Sequence, residues 1–236
     1  MIRRTVRAIG RAPGRIIVST LALALAVAAI GVFAIPTVAA SSLRDAIERD
    51  GAANIILGTT DTGRTDVEQL VESIDNVDIA EAQVMVTVPT TGTSDDGSLT
   101  LVGADLGGQD VNIVRPDHGR LPTTGNEILA PTGALDIGQE VDVIGLDRVE
   151  RTLEVVGTGG TSFFEGDEIA FTTLDGASSM AALEGVNRMS VRAVDTGDDA
   201  LWATAEDIRL ALADESVALE YLPITIEDGI HPVETE

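Results

Sequence analysis

Residues 16–38, IIVSTLALALAVAAIGVFAIPTV, form a run of twenty-three residues without a charged side chain. A helix of that length crosses a hydrocarbon core of about 30 Å, and no other stretch limits the fold of the chain so strongly. Five arginines (Arg3, Arg4, Arg7, Arg11 and Arg15) and no acid precede the run. The positive-inside bias therefore keeps residues 1–15 in the cytoplasm and places everything beyond Ala40 outside. Ile2, Val6, Ile9 and Pro13 alternate with those arginines, as in a short amphipathic segment lying on the inner leaflet. The competing reading is a cleavable signal peptide, because Val38-Ala39-Ala40 offers small residues before Ser41. The apolar run is longer than the roughly 7–15 residues of a signal h-region, which favours the membrane span.

Residues 41–236 are enough for one large domain or two small lobes. Aromatic residues make up 3% of the chain and apolar residues 44%, so the core must be built from Val, Ile, Leu and Ala and will owe more to sheet than to aromatic clusters. There is no cysteine, which removes disulfides, thiol catalysis and thiolate metal sites. The chain carries −24; with five of its fifteen basic residues before the span, ten arginines face thirty-nine acids outside, a charge of −29. Nucleic acid and anionic lipid are poor partners for such a surface. Lysine is absent, which forbids a P-loop Gly-Lys-Ser/Thr, so any ATP hydrolysis belongs to a partner. The acid-rich, lysine-free composition fits a high-salt medium, and it fits equally a coding bias that replaces Lys by Arg.

In chain order, residues 41–49 (SSLRDAIER) read as a helix that continues the span outward, with Leu43, Ala46 and Ile47 on one side and Asp50-Gly51 ending it. A short strand is expected at 54–57, turn chemistry at GTTDTG, and a helix over 65–74 with Thr65 as cap and Glu68 completing a capping box. A long strand follows at 79–88. Beyond the loop PTTGTSDDG, short apolar runs predict strands at 99–103, 111–114, 127–130, 141–144, 151–157 and 168–172, then a helix at 176–183 capped by Asp175. Strand 188–194, a helix opened by Gly197-Asp198-Asp199 with Leu201, Ala205, Ile208 and Leu212 on one face, and strand 218–222 close the series. Strand, helix, strand thus occurs twice, around a β-rich stretch. The expected class is α+β: one N-terminal transmembrane helix, then a ferredoxin-like split βαβ lobe (41–94 and 188–225) interrupted by a mostly β lobe (95–187), with a tail at 226–236.

Several sequence words carry a family resemblance. Pro13-Gly14-Arg15 before an Ala/Leu/Val-rich span, followed by SSLRDAIER, resembles the start of FtsX-like ABC transporter permeases. Val102-Gly103-Ala104-Asp105, His118-Gly119-Arg120-Leu121-Pro122, Asn126-Glu127-Ile128-Leu129, Leu135-Asp136-Ile137-Gly138-Gln139-Glu140-Val141 and Leu153-Glu154-Val155-Val156-Gly157 resemble, in order and spacing, a MacB-like periplasmic core domain. Gly119, Gly138 and Gly157 are expected in tight turns needing positive φ. The resemblance implies a porter-type α+β lobe beside the membrane and an inserted sabre-type lobe. It also implies a separate ABC-type ATPase subunit as partner and a homodimer or paired permease. Members of that family carry three further spans after the core domain, whereas this sequence ends at Glu236. The expectation is a truncated permease or a single-span relative.

No residue pattern points to catalysis. His118 and His231 are the only histidines and form no His-Glu-x-x-His pair, and Ser178-Ser179 lacks a Gly-x-Ser-x-Gly setting. Asp95-Asp96 and Asp195-Thr196-Gly197-Asp198-Asp199 lack the alternating ligands of a calcium loop and read as turns leading to helix starts. Expected catalytic, cofactor and metal residues are therefore none. Phe163 and Phe164, between polar runs, are either a contact for a partner or lipid or part of the core, with Trp202 the other exposed-aromatic candidate; Ser41, Leu43, Ala46 and Ile47 are the expected coupling junction. The functional expectation is a non-catalytic, membrane-anchored extracytoplasmic part of an ABC permease. The alternative is a stand-alone anchored binding or scaffold module. With −29 outside, the ectodomain should melt at a higher temperature as salt rises from about 0.05 to 2 M, over which the Debye length falls from above 10 Å to below 3 Å. Equal melting temperatures across that range, by calorimetry, would show that charge repulsion is not limiting.

Overall fold

The computed structural model describes residues 49–91, 97–161 and 168–225. They belong to one compact unit, Ala46–Glu236. The elements are β1 (Ile55–Thr62), α1 (Arg64–Glu72), β2 (Val77–Pro89), β3 (Ser98–Ala104), β4 (Arg115–Gly119), β5 (Glu127–Ala130), β6 (Glu140–Ile144), β7 (Glu150–Gly160), β8 (Ile169–Thr173), α2 (Leu174–Ala181), β9 (Val186–Ala193), α3 (Asp198–Asp214) and β10 (Leu219–Thr225). The fold is mixed α+β and mostly sheet. The predicted span 16–38, the basic segment 1–15, the tail 226–236, and residues Ser41, Leu43, Ala46, Ile47, Phe163 and Phe164 lie outside the described residues. Among the described residues, no helix is long and apolar enough to cross a membrane.

One ten-stranded sheet runs β10-β1-β9-β2-β3-β8-β5-β7-β4, with β6 paired to β7. In the first four strands of this order, each runs antiparallel to its neighbour. Each strand–helix–strand unit (β1-α1-β2 and β9-α3-β10) leaves a gap filled by a strand of the other. In the far half, β3 pairs β8 and β5 pairs β7 in parallel. The halves are joined through β2. Its first part, from Val77 to Gln83, pairs with β9, and its second, from Val84 to Pro89, pairs with β3.

Burial follows the alternation of each strand. Ala80 and Ala82 of β2, Met189 and Val191 of β9, and Ile55 and Leu57 of β1 point to one face. There they meet Val67 and Val71 of α1 and Leu201, Ala205, Ile208 and Leu212 of α3. The same cluster continues through Val84, Val86 and Val88 to Ile128, Val141, Val143, Leu153 and Met180, so both halves share a core. As the composition requires, it is aliphatic, and Phe171 is the one aromatic among the largest fully buried side chains.

The structure departs from several sequence expectations. β1 runs through GTTDT to Thr62, because Thr59 is buried with its hydroxyl donating to the Val186 carbonyl (3.3 Å) and Gly58 leaves room for the Tyr221 ring. α1 starts at Arg64 with Gly63 as N-cap and no side-chain cap bond, so the Thr65/Glu68 capping box does not form. Glu68 instead pairs with Arg64 (3.1 Å) and accepts the Ala82 N–H (2.9 Å) on the edge of β2 away from β9, before β3 begins to pair there. Glu72 does the same for the Ala80 N–H (3.4 Å). α2 is capped by Thr173, whose hydroxyl accepts the Gly176 N–H (3.2 Å); Asp175 lies within its first turn. Residues 111–114 are a loop, and the strand there is β4. Gly119 (φ 75°) and Gly138 (φ 86°) do take positive φ, whereas Gly157 is within β7. Glycine is required at Gly157 for close approach, since a Cβ there would lie 2.5 Å from the Arg120 carbonyl oxygen.

The two words His118-Gly119-Arg120-Leu121-Pro122 and Asn126-Glu127-Ile128-Leu129 have a shared physical meaning. Arg120 donates twice to the Glu127 carboxylate (2.8 and 2.5 Å), which also accepts the Thr123 N–H (2.8 Å) and hydroxyl (3.1 Å). This ties the turn after β4 to the start of β5. The Arg120 guanidinium above all, and then the Thr123 donors, hold the Glu127 carboxyl at about 2, below its ordinary 4.5. A depressed carboxyl contributes stability that is complete above its unfolded value and is lost as pH falls through the folded one. Glu127→Gln should therefore lower the melting temperature at pH 7, and its difference from wild type should close as pH falls from about 4.5 to about 2. A difference independent of pH, by thermal melts, would show the carboxylate charge to be irrelevant.

Candidate coupling site

The chain enters the sheet through residues 49–54, and the loop before β4 is clamped over that entry. The Asp50 carbonyl accepts the Ile113 N–H (2.7 Å) and the Gly51 carbonyl accepts the Asn112 N–H (3.0 Å), a two-bond ladder between entry and loop. Gly51 has φ 60°, and a Cβ there would lie 2.6 Å from the Asp110 carbonyl oxygen, so only glycine lets the two backbones approach this closely. Asp50 is 2% exposed and its carboxylate faces Arg49 (3.0 Å) and Arg115 (3.4 Å); Arg115 also donates to the Arg49 carbonyl (3.2 Å). A buried carboxylate with two guanidinium partners is costly to disturb, because removing either cation leaves charge in a poorly solvated place.

Asn112 lies at the centre. It takes a left-handed backbone (φ 50°), which asparagine tolerates better than most residues, and it is fully buried. Its amide oxygen accepts the Ala53 N–H (2.9 Å), and its amide nitrogen donates to the Ser190 hydroxyl (3.1 Å), which donates in turn to the Gln83 side-chain oxygen (3.1 Å). This polar line crosses entry, loop, β9 and β2 on the sheet face opposite α1 and α3. Beside it, Ala53, Ile56 and Val111 form a small apolar cluster of their own, with Ala52 and Ile79 packed on it. The next residue, Asn54, donates its N–H to the Val191 carbonyl (2.8 Å) and accepts the Ala193 N–H at its side chain (3.1 Å). Arg192 pairs with Asp78 (2.8 Å) and donates to the Asp110 carbonyl (2.7 Å).

Glu81 closes the loop from the β2 side by accepting the N–H groups of Asp110 and Val111 (3.1 Å for the second). Burial pushes its carboxyl above the ordinary range, with the Asp110 and Glu68 charges adding to the shift and the two N–H donors opposing it.

The chain leaves the sheet beside the point where it enters. β1 and β10 are antiparallel, and Ile55, the first residue of β1, is the cross-strand partner of Thr225, the last of β10.

The expected junction residues Ser41, Leu43, Ala46 and Ile47 and the expected contact Phe163-Phe164 lie outside the described residues. Trp202 is 57% exposed on α3, and His118 is exposed on β4. Among the described residues no group of three or more His, Cys, Asp or Glu side chains is placed to hold a metal ion. Sequence reasoning missed Asp50, Glu81, Gln83, Asn112, Arg115 and Ser190. Gln83 and Ser190 stand on the strand face that alternation leaves polar, so no local signal marked them as buried.

No protein-family model matches the sequence, and no curated protein sequence matches it. Among solved structures, the chain is similar to the extracellular domain of an ABC-type transporter, YknZ, from Gram-positive bacteria. That match has 14% identity and a TM-score of 0.48, and it covers 73% of this chain and 100% of the other. It is also similar to the periplasmic region of MacB from Actinobacillus actinomycetemcomitans, with 11% identity, a TM-score of 0.49, and coverage of 79% and 94%. A third similar structure is a domain of a candidate permease protein from Porphyromonas gingivalis, with 12% identity, a TM-score of 0.45, and coverage of 75% and 92%. At these identities and TM-scores, the functional reading rests on the chain's own residues.

Asn112→Ala removes two hydrogen bonds from a buried site, strands the Ala53 N–H and puts a Cβ-branched-free but unfavourable residue at positive φ. It should destabilise the domain by about 2 kcal/mol. Asn112→Gly, which relieves the backbone but not the lost bonds, should recover only part of that in denaturant melts. Full recovery by glycine would show that the amide bonds contribute nothing.

Proposed function

We propose that this chain is the non-catalytic, membrane-anchored extracytoplasmic part of an ABC transporter permease of the FtsX/MacB-like type, working with a separate ATPase. The anchor is residues 16–38, with 1–15 cytoplasmic, and the partner supplies ATP hydrolysis. In this reading 41–94 and 188–225 form a ferredoxin-like, porter-type lobe, and 95–187 the inserted sabre-type lobe. The strand order β10-β1-β9-β2, with both βαβ units split, supports the first assignment. Residues 41–49 act as the coupling junction, and Phe163 and Phe164 as a partner contact.

The observation that carries the proposal is the pairing of Ile55 with Thr225. A domain whose entry and exit are cross-strand neighbours can be carried between membrane segments without a long return connection. The clamp at 49–54 then gives the entering segment a stiff attachment: movement of the membrane helix passes into β1, β2 and β9 through hydrogen bonds that are already made.

A flexible Gly/Ser linker of about six residues inserted between Ala40 and Ser41 lets the joined ends wander by roughly 12–15 Å. Transport-dependent activity of the full assembly should collapse, while the melting temperature of the ectodomain and membrane insertion stay normal. Undiminished activity in that variant favours the stand-alone anchored scaffold instead.

A further inference from the structure

Helix α3 packs on the sheet through Leu201, Ala205, Ile208 and Leu212. One of its flanks faces α1, since Asn76, between α1 and β2, donates to the Thr204 hydroxyl (2.9 Å). Trp202 is two residues from Thr204, about 200° round the helix, and so lies on the flank turned away from α1. It is 57% exposed, and Leu210, about 12 Å further along the helix axis, is 47% exposed. The surface neighbours of a helical residue are those three and four positions away. For Trp202 they include Asp198, Asp199 and Glu206, and for Leu210 they include Glu206, Asp207 and Asp214, all of them exposed. The single basic residue of the helix, Arg209, is held by Glu206 (2.6 Å). Helix stability does not account for this arrangement. Asp198 and Asp199 suit the positive end of the helix dipole, but Asp214 stands at the negative end, where no basic residue offsets it. Over half of the Trp202 surface stays in water, where it adds nothing to the core.

We propose that this flank of α3 is a docking surface for a basic, amphipathic segment of a partner protein. Trp202 and Leu210 are the apolar anchors, and the acids around them pair with Arg or Lys side chains interleaved with the partner's apolar residues. Charge selects the occupant. A guanidinium over the indole gains the attraction of the ring face and of the Asp198 and Asp199 charges together. An anionic membrane would meet a row of like charges, whereas helices that lie on such membranes carry Lys and Arg beside their apolar face. A second copy docked by the same flank would bring acids against acids, since Arg209 is already taken up by its own Glu206. The inference goes beyond the permease reading: a partner bound here would grip the domain through the helix that leads into β10, on the sheet face opposite the clamp.

Trp202 is the one tryptophan of the chain, so its fluorescence reports this surface alone. The full chain in a non-ionic detergent is titrated with a synthetic helical peptide that has leucines on one face and arginines flanking them, and with the same peptide carrying Glu for Arg. The basic peptide should shift the emission to shorter wavelength, saturably, with an affinity that falls several-fold between about 0.05 and 0.5 M salt. The acidic peptide should leave the emission unchanged, and an equal shift with it overturns the proposal. Leu210→Ser, and separately Asp198→Asn with Asp199→Asn, should each weaken binding several-fold. Glu140→Gln with Glu150→Gln, exposed positions on β6 and β7, removes the same charge elsewhere and should not. Equal loss in that control pair means that bulk charge alone attracts the peptide, and overturns the proposal. So does a shift to shorter wavelength, without peptide, on passing from phosphatidylcholine to phosphatidylglycerol vesicles, which would name a membrane as the occupant. A shift that appears with rising protein concentration alone would name a second copy, and overturns it too. Binding is read without transport, so failure of this surface and failure of the permease reading are told apart.

Discussion

The rest of the structure depends on β2 serving two partners in succession. Its thirteen residues spend the first part on β9 and the second on β3, so the antiparallel half and the far half of the sheet are joined without a linker between them. The alternation of β2 keeps Ala80, Ala82, Val84, Val86 and Val88 buried across that change. A change of partner leaves part of each edge exposed, and an unpaired backbone donor beside a core is expensive. Glu68 and Glu72 of α1 cover it by reaching the Ala82 and Ala80 N–H groups. The strand can therefore change partners only because a helix above it supplies the missing acceptors, and this is why Glu68 is unavailable as a capping residue.

Much of the element order could be read from periodicity. β5 occupies 127–130 as expected, and the stripe Leu201, Ala205, Ile208 and Leu212 is the buried face of α3. Those signals are local: apolar spacing of 2 or 3.6 is a property of the segment itself. What the segment could not reveal was decided by contacts distant in sequence. GTTDT has turn composition, yet Thr59 is drawn into the sheet by Val186 and Leu219, more than a hundred residues away. The apolar letters of 111–114 suggest a strand, but Val111 and Val114 are buried in different clusters, with Asn112 turned left-handed between them. The clamp as a whole was invisible for the same reason, since its members come from four separate stretches of chain. Even polar Gln83 and Ser190 gave no warning, because alternation places them on the face opposite the main core.

The clamp also shows how an acidic chain uses its few cations. Among the described arginines, Arg49 and Arg115 converge on one buried aspartate, and Arg192 is shared between an acid and a backbone carbonyl. Arg64, Arg120, Arg151 and Arg209 pair with acids close in sequence. The planar guanidinium can satisfy two acceptors at once, which a lysine ammonium does with less geometric definition. In a domain where acids greatly outnumber bases, Arg49 and Arg115 are placed together at the chain entry and Arg120 at the turn after β4.

The adjacency of Ile55 and Thr225 has a consequence for modularity. Cross-strand partners in an antiparallel pair lie about 4.5–5.5 Å apart at their Cα atoms, roughly the spacing a short loop already spans in any hairpin. To a host chain, the ten strands and three helices among the described residues therefore look like an enlarged hairpin turn. It can be gained or lost between two segments of a longer protein without either segment having to move, and the cost in loop-closure entropy is no greater than that of the turn it replaces.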